Sequence, residues 1–235
     1  MNFSGLNKTT LLDYPGHLAC LIFVSGCNFR CHYCHNSSLV LNESQNIYSE
    51  EYMLDFLEKR KNILEGVCIS GGEPTLYNDL KDFISKIKEK TNLKVKLDTN
   101  GTNPRLLKTL IDKKLIDYVA MDIKSDIKNY NKVINVKNAL SLDKIKESVN
   151  ILKENKIDYE FRTTIVKGLH DFDDFENIGK WLKRCSNYYL QNYKDSGDIL
   201  YKRNNLDLSL SSFNELEVIK IKEILIKYIQ NVYMR

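Results

Sequence analysis

Short apolar runs alternate with amphipathic stretches along this chain. Residues 17–24, "HLACLIFV", read as a buried strand, and "GVCIS" (66–70), "LKVKLDT" (93–99), "DYVAMDI" (117–123), "YEFRTTIV" (159–166) and "SNYYLQN" (186–192) read the same way. Helical spacing fills the gaps. Met53, Phe56, Leu57 and Leu64 mark one face, and Leu80, Phe83, Ile84 and Ile87 mark another. Leu106, Leu107, Leu110 and Ile111 follow Pro104, which sits where a helix begins, with Asn103 as its N-cap. Leu142, Ile145, Val149 and Leu152 form a further stripe, residues 173–184 another helix, and Val218, Ile221, Leu225 and Tyr228 a last one. "NVYMR" closes the chain as a short strand. This alternation predicts βα units around a parallel sheet. About six units are present, which fits an open, partial (β/α)6 TIM-like barrel better than a closed eightfold one of about 250 residues. With neither an internal repeat nor a low-complexity linker, residues 1–235 are expected to form one domain. In such folds ligand-binding groups gather at the C-terminal ends of the strands.

Composition narrows the class. Apolar residues make up 43% and charged residues 28% of the chain, as in ordinary globular proteins. The net charge of +4, from 35 basic and 31 acidic residues, is too small to argue for a nucleic-acid partner. The N-terminus lacks the pattern of a signal peptide, and Leu18–Val24 is too short an apolar run to span a bilayer. A cytoplasmic protein with no membrane partner is expected, and its thiols should stay reduced. Cys20, Cys68 and Cys185 stand alone in apolar surroundings and read as small buried hydrophobes.

Four distinctive stretches each follow a predicted strand: "GCNFRCHYCHN" (26–36), "SGGEPT" (70–75), "LDTNG" (97–101) and "MDIK" (121–124). The first places Cys27, Cys31 and Cys34 at CxxxCxxC spacing. A Cys₃His zinc site lacks the usual second ligand pair, and a disulfide leaves one cysteine over. An iron–sulfur cluster suits thiolates in a reduced compartment. Three cysteines on four irons leave one iron open to a substrate or cofactor. Gly71 and Gly72 allow close backbone approach, and Glu73 adds an acceptor for an ammonium group. Taken alone, that stretch is also compatible with a plain tight turn. Asp98 and Asp122 could meet ribose hydroxyls, an ammonium or a monovalent cation. Lys124 and Arg162 add positive charge, although capping and surface ion pairs also account for such residues. His32 is expected to face solvent and His170 to lie in a polar loop, neither with a role.

The cysteine spacing, with the aromatic Tyr33 before the last cysteine, resembles the radical S-adenosylmethionine (SAM) superfamily. "GCNFRCHYCHN" is similar to the cluster loop of glycyl-radical-enzyme activases. "DYPG" (13–16) and the tail "YYLQNYKDSGD" (188–198) resemble the anaerobic ribonucleoside-triphosphate reductase activating proteins. The resemblance implies a partial barrel of the radical SAM type. It implies that Cys27, Cys31 and Cys34 carry a 4Fe–4S cluster whose open iron is chelated by SAM. Tyr33 would lie near the adenine, with backbone around Cys34 and His35 contributing contacts, and Gly71, Gly72 and Glu73 would receive the methionine end. Asp98, Asp122, Lys124 and Arg162 would complete the contacts, with Lys124 pairing the SAM carboxylate. It also implies a flavodoxin or ferredoxin as electron donor, and the anaerobic ribonucleotide reductase as protein substrate. Gln191 stands where the pyruvate formate-lyase activases place a histidine, which argues against that subgroup. Two rivals remain: a radical SAM enzyme with a small-molecule substrate, such as the carboxy-deazaguanine synthases, and a zinc-binding adaptor.

Overall fold

The computed structural model of the chain describes residues 1–41, 43, 47–197, 199–203 and 208–235. Its strands are β1 (Phe3–Thr10), β2 (Ala19–Val24), β3 (Gly66–Gly71), β4 (Lys94–Thr99), β5 (Tyr118–Asp122), β6 (Asp158–Ile165), β7 (Asn187–Asn192) and β8 (Asn231–Met234). They lie in one sheet in chain order, with β1 and β8 at its two ends. β1 runs antiparallel to β2, whereas β2–β3, β3–β4, β6–β7 and β7–β8 are parallel pairs. The six strands expected from β2 to β7 and the closing short strand are all present. β1 is an addition: "FSGLNKTT" has no clean alternation, and its register comes from pairing Gly5, Leu6 and Asn7 with Phe23, Ile22 and Leu21.

The helices are α1 (Ser37–Val40), α2 (Glu50–Arg60), α3 (Leu80–Lys90), α4 (Pro104–Asp112), α5 (Tyr130–Ile134), α6 (Asp143–Lys153), α7 (Phe172–Trp181), α8 (Leu200–Arg203) and α9 (Glu215–Leu225). The apolar stripe of α3 is fully buried at Leu80, Phe83, Ile84 and Ile87. Asn103 caps α4, its side chain accepting from the Leu106 N–H at 3.2 Å. Two stripe residues lie beyond their helices. Leu64 follows the end of α2 and Tyr228 the end of α9, because each chain turns back on itself while its side chain keeps a packing partner.

Two compact units are present. One comprises Met1–Asn28, Ser38–Ala120 and Lys144–Tyr159, and the other Phe29–Ser37, Met121–Asp143 and Glu160–Arg235. In the first, Ile22, Val67, Ile69, Val95 and Leu97 on β2–β4 are fully buried, as are Met53 and Leu57 of α2. The period of two puts Cys68, Ser70, Lys96 and Asp98 on the opposite side of β3 and β4 from those apolar residues. In the second unit, α7 and α9 both open with capping boxes, Asp171 with Asp174 and Asn214 with Glu217.

An ion pair fastens β8 within the second unit. The Arg235 guanidinium donates to both oxygens of Glu160, at 2.8 and 2.9 Å, and lies 4.0 Å over the Tyr189 ring. Glu160 is fully buried. Arg235→Ala removes the two-pronged donor of that buried carboxylate and is expected to cost roughly 3 kcal/mol, read as a lower urea midpoint. Glu160→Gln, which removes the buried charge as well, is expected to cost less.

Candidate active site

The loop after β2 carries the three cysteines, and none of the chain's six cysteines is in a disulfide. Within the first unit, Gly26 starts the loop with its N–H donating to the Leu39 carbonyl at 2.8 Å, and Cys27 is half-buried. Within the second unit, the Arg30 N–H donates to Ile134, and the Cys34 N–H to Cys31 at 3.0 Å. The Cys34 and His32 carbonyls accept from Leu200 and Tyr201 of α8. Cys31 is buried and Cys34 half-buried. Tyr33 is only 3% exposed, and its hydroxyl is buried without a hydrogen-bond partner. His35 is exposed, its Nδ1 2.9 Å from Ser196 Oγ. His32 departs from the expectation of a solvent-facing residue: its Nδ1 is buried and unpartnered, and desolvation lowers its pKa.

In the first unit, the "SGGEPT" loop docks on the end of β2 rather than forming an isolated turn. The Gly72 N–H donates to the Val24 carbonyl and the Glu73 N–H to the Gly26 carbonyl, both at 2.8 Å. A Cβ on Gly72 would fall 1.9 Å from the Gly26 carbonyl oxygen, so only glycine permits this approach. Gly71, the last residue of β3, has φ +112°. Glu73 is 1% exposed. Its Oε1 accepts from the Thr75 N–H at 3.0 Å, from the Thr75 hydroxyl and from the Thr99 hydroxyl at 2.8 Å; its Oε2 accepts from the Asn100 N–H at 2.6 Å. Desolvation raises the Glu73 pKa, and these donors oppose it. Asn100 also donates to the Asn28 side chain at 2.8 Å, tying this network to the residue after Cys27.

Asp98 accepts from Ser70 Oγ at 2.9 Å and from the Lys96 ammonium. Cys68 Sγ lies 3.6 Å from Asp98 Oδ1 and 3.7 Å from Lys96 Nζ. Cys68 is therefore buried, as expected, but in a charged setting rather than an apolar one. Cys20 and Cys185 match the expectation of burial, and burial pushes the Cys20 thiol up to about 12.

In the second unit, Asp122 bridges two cations: Oδ2 to Lys124 Nζ at 3.1 Å and Oδ1 to Arg162 Nε at 3.0 Å. Burial works against the Lys124 charge, but the Asp122 carboxylate together with Tyr33 and Cys31 outweighs it and holds the ammonium pKa well above the usual value. His170 sits beneath this triad, 5% exposed. Its Nδ1 accepts from the Val166 N–H at 3.0 Å and its Nε2–H donates to the Lys124 carbonyl at 2.8 Å, which fixes one neutral tautomer. It is a buried brace, not a polar-loop residue. Gln191 is half-buried on β7, register partner of Thr164.

Residues 21–182 match the family model for the radical SAM superfamily. The chain belongs to that superfamily. It is 35% identical over 238 residues to a provisionally named glycyl-radical enzyme activating enzyme of Methanocaldococcus jannaschii, covering 99% of this chain and 95% of the relative. It is 26% identical over 227 residues to the pyruvate formate-lyase-activating enzyme of Clostridium pasteurianum, covering 94% of each. This radical SAM chain therefore groups with the glycyl-radical-enzyme activases. Its fold matches the crystal structure of Streptococcus suis SuiB bound to precursor peptide SuiA, with a TM-score of 0.69 at 16% identity, covering 91% of this chain. Only 48% of the SuiB chain is spanned by that match. The partial barrel expected from the sequence is thereby confirmed.

The cofactors of the superfamily are a 4Fe–4S cluster and SAM. The residues present fit them. Three cysteines within eight residues of one loop, none in a disulfide, are a donor set of the chemistry such a cluster takes, and the orphaned Tyr33 hydroxyl and His32 Nδ1 are buried polar atoms in the same loop.

Two outcomes are expected. Gly72→Ala should destabilise the fold by about 3 kcal/mol in urea titration and lower the iron and sulfide bound per chain, since the two loops cannot both keep their places. His170 generates a pH dependence: burial lowers its pKa from 6.5, so the unfolded chain takes up the proton first. Its contribution is complete above 6.5 and is lost as pH falls toward the depressed folded value. His170→Gln should flatten the fall in urea midpoint between about pH 7.5 and about pH 5.5.

Proposed function

We propose that this radical SAM protein generates the glycyl radical of the anaerobic (class III) ribonucleotide reductase. The observation that carries the reading is the full-length likeness to an activating enzyme, 99% of this chain against 95% of the relative. Two features support the choice of partner. In "DYPG", Tyr14 is 2% exposed and its ring packs on Gly66 at the start of β3. In "YYLQNYKDSGD", Ser196 meets His35, and the Tyr193 ring lies 5.9 Å from the His35 ring; Asp198 of that pattern lies outside the described residues.

Residues 1–235 act as one radical SAM domain. Cys27, Cys31 and Cys34 hold the cluster. Tyr33 and His35 lie by the adenine of SAM, and the Gly71–Glu73 segment receives its methionine end. Lys124 pairs with the SAM carboxylate, with Asp122 and Arg162 setting its position, and Asp98 contributes a further polar contact. When bound and reduced by a flavodoxin or ferredoxin, cluster and SAM together supply a 5′-deoxyadenosyl radical that takes a hydrogen atom from a glycine Cα. The chain's own task is positioning and exclusion of water, which the burial of Cys31 and Tyr33 serves. No helix among the described residues is long and apolar enough to cross a membrane.

The full-length likeness to a pyruvate formate-lyase-activating enzyme favours a second reading, activation of that type of partner. Gln191 at the histidine position weighs against it.

The test is EPR on anaerobically reconstituted protein, reduced with dithionite, with and without SAM. A reduced 4Fe–4S signal that changes shape with SAM is expected. Bound zinc without sulfide would refute the reading. Mixing with the anaerobic ribonucleotide reductase is then expected to give a glycyl-radical signal that pyruvate formate-lyase does not. The reverse result selects the second reading, and no radical on either points to a small-molecule substrate.

A further inference from the structure

Cys27 is held through both of its chain neighbours, Gly26 and Asn28. On one side the Gly26 carbonyl accepts from the Glu73 N–H at 2.8 Å. On the other, the Asn28 side chain belongs to a closed ring of hydrogen bonds with the loop after β4. Asn28 Nδ2 donates to Thr102 Oγ1 at 3.0 Å, the Thr102 hydroxyl to Asn100 Oδ1 at 2.7 Å, and Asn100 Nδ2 back to Asn28 Oδ1 at 2.8 Å. The Thr102 N–H also donates to Asn100 Oδ1, at 3.1 Å, which fixes the orientation of that amide. The ring is shielded, with Asn100 4% and Thr102 8% exposed. It is also anchored: the Gly101 carbonyl accepts from Ser148 Oγ of α6 at 2.8 Å, and the Asn100 N–H donates to Glu73 Oε2 at 2.6 Å. Both flanks of Cys27 therefore close on Glu73, one through its N–H and one through its carboxylate. All of these residues lie in the first unit.

We propose that Asn28 and Thr102 are positioning residues for Cys27: their ring presets that thiol, before any cluster is present, at the place from which it binds iron. The proposal rests on the reading that Cys27 is a cluster ligand. A ligand on a free loop must be ordered as the metal arrives, and that ordering weakens binding. A cysteine fixed at both flanks gives up little further freedom, so it captures iron early and releases it slowly.

The experiment follows alkylation of each cysteine by iodoacetamide, mapped by peptide mass, in the whole chain freed of iron under anaerobic conditions. Thr102→Val removes the ring hydroxyl at nearly constant volume and Thr102→Ser keeps it; neither alters the chain neighbours of Cys27. Cys27 is expected to react about fivefold faster in Thr102→Val, the equivalent of about one hydrogen bond, and at the wild-type rate in Thr102→Ser. Cys31, Cys34, Cys20, Cys68 and Cys185 are expected to keep their wild-type rates, which a general loosening of the fold would not spare. Asn28→Leu opens the ring at its other member and is expected to match Thr102→Val, with the double variant no faster than either; it stands in if Thr102→Val does not fold. After reconstitution with iron and sulfide, Thr102→Val and Asn28→Leu are expected to lose iron to a ferrous chelator about fivefold faster than the wild type. A Cys27 that ignores the loss of the ring overturns the proposal, as does a rise in all six thiol rates together or equal iron release from every variant. A wild type that takes up no iron and sulfide refutes the cluster reading itself, and the proposal with it.

Discussion

A carboxylate drawn out of water must be matched, and four carboxylates of this molecule meet that constraint in different ways. Glu73 is matched by hydrogen-bond donors alone, two of them backbone N–H groups. Asp98 is matched by one buried ammonium. Asp122 takes an ammonium on one oxygen and a guanidinium on the other. Glu160 takes both arms of a single guanidinium. Each solution draws together segments distant in sequence, so satisfying the charge also sets the chain path. Glu73 joins the ends of β3 and β4, Asp122 joins β5 to β6, and Glu160 joins β6 to the residue after β8.

The same accounting separates rigid from adaptable groups. Glu73 has donors on both oxygens and its loop is pinned by backbone bonds to β2, which suits a group that shapes a cradle. The Lys124 ammonium reaches Asp122 at 3.1 Å, a longer contact at a partly open edge, which suits a group that can turn toward an anion. His170 holds the Lys124 main chain, while Asp122 holds its side chain.

Much of this was legible in the sequence because it rests on spacing. Three cysteines at fixed intervals are close whatever the fold does, and a period of two against 3.6 separates strands from helices. β1 was missed because a strand at a sheet end, paired on one side, needs little apolar alternation; α5, with five residues, is too short to show a period. Lys96 was hidden by the ordinary rule that lysines are exposed, although the alternation K-V-K-L-D puts it on the same side as Asp98. His170 was missed for a different reason: its partners are a backbone N–H and a backbone carbonyl, which side-chain patterns do not encode. His32 looked exposed because loops usually are, yet its carbonyl accepts from the Tyr201 N–H of α8 and its ring Nδ1 is buried.

The approach of Gly72 to Gly26 has a meaning for how such chains diverge. The clash awaiting any side chain there is with the protein's own backbone, not with a cofactor. A descendant that had abandoned its chemistry would still be held to glycine at this point by the need to fold. Retention of the glycine pair thus testifies to shared architecture, and only the thiols and the charged groups around it testify to shared chemistry.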